Sequence, residues 1–151
     1  MPRHEALLRQ ANALLEIART KQGAEADTLY RSACDTYTKS LQLHPGRGEA
    51  LVGLGCAWLA LAGRSADPEA RQALLARARK ALFSAEALAV PAAAYNLACL
   101  CTLEGDLAGA RRWLGRAKKR HQLPHSEQLL GDPDLAALRG EAWFVNLARR
   151  D

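Results

Sequence analysis

Few residues in this chain have the types and spacing to do chemistry, and the spacing assigns most of those to packing. Cys99-Leu100-Cys101 has the composition of a metal or redox pair. Residues two apart on a helix point about 200° from each other, so both thiols cannot easily meet one ion. Neighbouring sequence offers no further Cys or His to complete a tetrahedral set. A small buried hydrophobe is the better reading of each thiol. His4, His44, His121 and His125 fall at or near expected helix ends, which suits solvent or helix-dipole contact better than a ligand or base role. Gly53-Leu54-Gly55 sits inside a helical run and lacks the third glycine and preceding strand of a nucleotide loop. Asp132-Pro133-Asp134 has the oxygens of a calcium loop without its glycine and distal Glu, and reads as a helix cap. A phosphate loop, a His-Glu-x-x-His pair and a nucleophile elbow are all missing. The residues predict no enzyme, no cofactor and no metal.

Two further groups could meet partners. Arg71, Arg77, Arg79 and Lys80, then Arg111, Arg112, Arg116, Lys119 and Arg120, should stripe an outer surface. With a net charge of +5, a basic nucleic-acid module is one alternative. It is disfavoured, because no exposed aromatics interleave with the cations and no recognition helix accompanies them. Trp143 and Phe144 have two readings. They cover the open apolar end of the last helix pair, or they stand exposed and pair with another copy of the chain.

The elements that must position these residues are all helical. Ala and Leu dominate, whereas the β-branched set is three Val, one Ile and five Thr across 151 residues. Leu7, Leu8, Ala11, Leu14, Leu15 and Ala18 stripe a first helix over 4–21. A second, 25–43, carries Leu29, Ala33, Tyr37, Ser40 and Leu41, and His44-Pro45-Gly46 stops it. A second pair spans 48–88, its latter helix opened by Asp67 as N-cap and Pro68 at the first turn. The third pair spans 92–120, broken at Gly105-Asp106, with Ala98, Ala110 and Ala117 where two backbones approach closely. Short helices at 126–130, 133–138 and 141–149 form a capping tail within 125–150. One domain over 1–151 is predicted. Cys34, Cys56, Cys99 and Cys101 lack disulfide-framework spacing, and neither a leader nor a membrane span is read, so a reducing cytoplasm is expected.

A helix pair of this kind cannot bury its apolar face alone and implies stacked copies. Leu54-Gly55 and Leu97-Ala98 recur 43 residues apart, and Pro45 and Pro91 recur 46 apart. Leu97, Ala98, Cys101, Gly105, Asp106, Ala110, Leu114 and Ala117 resemble the tetratricopeptide repeat family, in its small bacterial type. Leu51, Leu54, Gly55 and Trp58, and Ala33, Tyr37, Ser40 and Pro45, carry the same likeness. The second pair departs from it by about a dozen extra residues between Gly55 and Ala78.

The resemblance implies an all-α right-handed solenoid of about three helix pairs with a C-terminal helical cap. It also implies a concave groove that binds a segment of another protein. In that register the groove is walled by Glu49, Val52, Cys56 and Leu59 from the second pair. Tyr95, Asn96, Cys99 and Thr102 come from the third, with Asn96 holding a peptide backbone. The expected function is therefore a non-enzymatic adaptor, scaffold or chaperone-like module. A self-associating structural protein is the alternative beside the basic module.

Overall fold

The described residues, 1–149 of a computed structural model, are all-α and contain no strand; Arg150, the end of the expected capping tail, and Asp151 lie outside them. Consecutive helices pack as adjacent pairs, a helical-repeat fold of the class the composition predicts. No helix among these residues is long and apolar enough to cross a membrane. The chain divides into two compact units, the first being Met1–Val90 and the second beginning at Pro91.

In the first unit, α1 (Arg3–Arg19) buries Leu8, Ala11, Leu15 and Ala18 against α2 (Gly23–Leu43). That four-step spacing presents one face of a helix, and the alanines let the backbones close up. Tyr37 is fully buried on α2 and donates its hydroxyl to Asn12 Oδ1 at 2.5 Å. Ser40 ties the other end of the pair through His4 O, 2.8 Å away. α3 (Gly48–Arg64) and α4 (Pro68–Ala87) form the second pair. Asp67 caps α4 as its Asp-Pro signature predicts, accepting from the Ala70 N–H at 3.3 Å. Two glycines set the seat of α3. A Cβ on Gly53 would enter the Tyr37 ring, and one on Gly55 would lie 2.6 Å from a Leu82 methyl. Side chains from α2 and α4 thus occupy the space that a Cβ would need.

In the second unit, α5 (Ala93–Leu103) pairs with α6 (Leu107–Lys119) through Leu97, Ala98, Ala110, Leu114 and Ala117, all fully buried. Asp106 caps α6 by accepting from Gly109 N–H at 2.9 Å. The tail folds as α7 (Ser126–Gly131), a 3-10 helix (Pro133–Leu138) and α8 (Ala142–Ala148). Leu135 and Leu138 of the 3-10 helix are buried, and it packs on α5. Phe144 is buried, while half-buried Trp143 meets its edge at 6.0 Å and lies under Arg111 at 5.4 Å.

Three helix ends close alike. The Val90, Asp106 and Gln122 N–H groups each reach back five residues, to Ala85, Cys101 and Ala117 carbonyls. The residue at the left-handed position is Gly105 in one case (φ 82°) but Ala89 (57°) and His121 (56°) in the others.

Candidate functional site

On α3 the candidate residues Glu49, Val52, Cys56 and Leu59 follow one another at steps of three and four, which keeps them on one stripe. The opposite side of the helix, Ala50, Gly53, Leu54, Ala57 and Leu61, is buried. Locked by Tyr37 and Leu82 at its glycines, α3 holds the stripe at a fixed angle within its unit. Exposure falls along it: Glu49 is exposed, Val52 and Cys56 are half-buried, and Leu59 is buried. Arg47 Nη2 lies 3.4 Å from Glu49 and its Nη1 lies 2.7 Å from Glu5, so one guanidinium holds two acids at the head of the stripe.

The α5 residues sit differently. Tyr95 donates its hydroxyl to the Asp132 carboxylate, at the start of the 3-10 helix. Burial pushes that phenol well above its usual range, and Cys99 and Asp132 add to the shift. Asn96 is half-buried and its Nδ2 donates to its own helix, at Ala92 O, 2.9 Å away. Thr102 is buried and bonds back to Ala98 O at 2.8 Å. Cys99 is buried, and its Sγ lies within 4.8 Å of oxygens of Asp132 and Asp134. The tail therefore meets Tyr95 and Cys99 within the second unit.

Cys99, Asp132 and Asp134 are the one group among the described residues with three ligand atoms so close. Asp132 uses both oxygens internally, one for Tyr95 and the other for the Asp134 N–H at 2.9 Å. A cap and a tyrosine partner account for that carboxylate. Sequence reasoning missed Asn12 as the partner of Tyr37, and it read Asp132 as a cap without its second role as the partner of Tyr95. These partners lie 25 and 37 positions from those tyrosines, beyond any helical period.

Residues 3–102 match the family model described as plant specific mitochondrial import receptor subunit TOM20. That stretch covers α1 to α4 and all but the last residue of α5. No curated protein and no solved structure matches the chain.

Proposed function

The chain belongs to the family of plant specific mitochondrial import receptor subunit TOM20, and from that premise we propose a receptor-type module that holds a segment of another protein. The family is described as a receptor subunit, not as an enzyme. The observation that carries this reading is the match itself, because residues 3–102 include the whole of α3 and its half-exposed stripe. In this proposal Val52 and Cys56 bury the apolar side of the bound segment, and Glu49 stands at the head of the stripe. Leu59 supports the α3 face from beneath; within the second unit, Cys99 and Thr102 support the α5 face and Tyr95 anchors the tail. The cytoplasmic setting read from the cysteines belongs to the same proposal, supported by four cysteines that form no disulfide among the described residues.

Charge sharpens the mechanism. Mitochondrial transit peptides are amphipathic, rich in Arg and poor in acids. A receptor of net charge +5 repels such a segment at long range. Recognition then falls to the apolar side of the segment, through area removed from water on Val52 and Cys56. The test is fluorescence anisotropy of a panel of labelled transit peptides, using wild type and the Val52→Asp/Cys56→Asp double variant. Both sites are half-buried and Cys56 packs against the core of the first unit, so helical signal and melting temperature verify that the variant is folded before its binding is read. The proposal expects affinity to fall roughly tenfold or more, since a charge must be desolvated against the bound segment. Failure of every peptide to bind wild type, or equal binding by the double variant, would end it.

A further inference from the structure

At the C-terminal end of α3 the first unit holds a cavity of about 310 Å³ that the receptor reading does not use. Its wall carries three guanidinium groups, Arg31, Arg64 and Arg77, and one carboxylate, Asp27. These four have different states. Arg64 Nε donates to Asp27 Oδ1 at 2.5 Å, its Nη2 donates to Gly23 O at 3.0 Å, and its guanidinium lies 5.9 Å from the Tyr30 ring centroid. That side chain is held from three directions. Arg31 and Arg77, both exposed, have no ion pair among the described residues. Leu61 and Leu74 give the cavity an apolar wall.

We propose that this cavity binds an acidic side chain of a partner peptide, its carboxylate between Arg31 and Arg77 and a flanking aliphatic side chain on Leu61 and Leu74. The charge balance supports it: two planar guanidinium groups offer paired donors with no ion-pair acceptor among the described residues, and a carboxylate matches that fork. Asp27 on Arg64 shows the same pairing already made within the cavity. A phosphate fits less well. The first turn of α4, whose Ala70 lines the cavity, is already capped by Asp67, whose own charge opposes a dianion. The size suits a short side chain with an apolar neighbour, at the lower end of the range for small ligand sites.

The test is a titration of the whole chain, reading the side-chain Nε–H resonances of Arg31 and Arg77. The probe is N-acetyl-Leu-Glu-Leu-amide, with N-acetyl-Leu-Gln-Leu-amide and inorganic phosphate as comparison arms. The Glu peptide should shift both resonances saturably in the millimolar range, and the Gln peptide should not. Binding should weaken roughly threefold or more from 0.05 to 0.3 M salt, as the charges are screened. Arg31→Gln and Arg77→Gln should each cost roughly tenfold in affinity, the loss of one charge-assisted pair. Both residues are exposed, so melting temperatures should hold. Equal shifts from the Gln peptide, tighter binding of phosphate, or undiminished affinity in the two variants would each overturn the proposal. Binding of the Glu peptide by the Val52→Asp/Cys56→Asp chain would show that this site is independent of the α3 stripe.

Discussion

At Gly53 the Tyr37 ring fills the space where a side chain would begin. Gly53→Ala should therefore destabilise the chain by about 1–3 kcal/mol, the range for overpacking a tight core, although alanine is the better helix former. Urea unfolding followed by helical signal measures this, and an unchanged midpoint would contradict the contact. The sequence placed both glycines inside a helix and away from nucleotide chemistry. It could not show which side chains they admit, since Tyr37 and Leu82 lie far off along the chain. Cys34 makes a second residue-scale case. Burial, reinforced by Asp35 and opposed by Arg77, pushes its thiol from 9.0 up to about 12. Between those values the unfolded chain has lost this proton and the folded chain keeps it, so stability falls as pH rises. Tyr37, raised chiefly by burial, acts in the same direction above its own ordinary range. Melting temperature should decline from about pH 9 upward, and Cys34→Ala should flatten that decline. Alkylation at pH 8 should label half-buried Cys56 well ahead of Cys34.

The helices show what local patterns can and cannot carry. Asp67-Pro68 marked the start of α4 because cap and first-turn proline act within three residues. Asp132-Pro133 marked the 3-10 helix by the same chemistry. Its docking on α5 was hidden, because Tyr95 and Asp132 meet only after the tail returns. The two caps should consequently differ on truncation. Asp67→Ala removes a surface cap and should cost about 1 kcal/mol. Asp132→Ala should cost more, about 2–4 kcal/mol, because it also strands the part-buried Tyr95 hydroxyl. Chemical denaturation of the two variants side by side checks the order; equal losses would mean the tyrosine contact contributes nothing.

Across the whole molecule, the small-residue spacing made paired helices legible from sequence, since close backbone approach leaves few other residue types possible. The division at Val90 was not legible; Pro91 marks an ending there without saying how the later helices gather. Net charge bears on function at this scale. If apolar contact carries the binding of a basic segment, raising salt from 0.05 to 0.5 M should leave its affinity unchanged or improve it. A steep loss with salt would instead point to the acids as the recognition element.

The three matching helix ends carry a last consequence, for how this chain could be improved. Gly105 adopts the left-handed turn without steric penalty, whereas Ala89 and His121 hold the same turn with a Cβ in the way, at about 1–2 kcal/mol each. Glycine there would also loosen the denatured chain, offsetting about 0.4–1 kcal/mol of the gain. Ala89→Gly and His121→Gly should each raise the melting temperature modestly. Tolerance to heat in this protein is thus capped by two joints, each open to repair by deleting atoms instead of adding contacts.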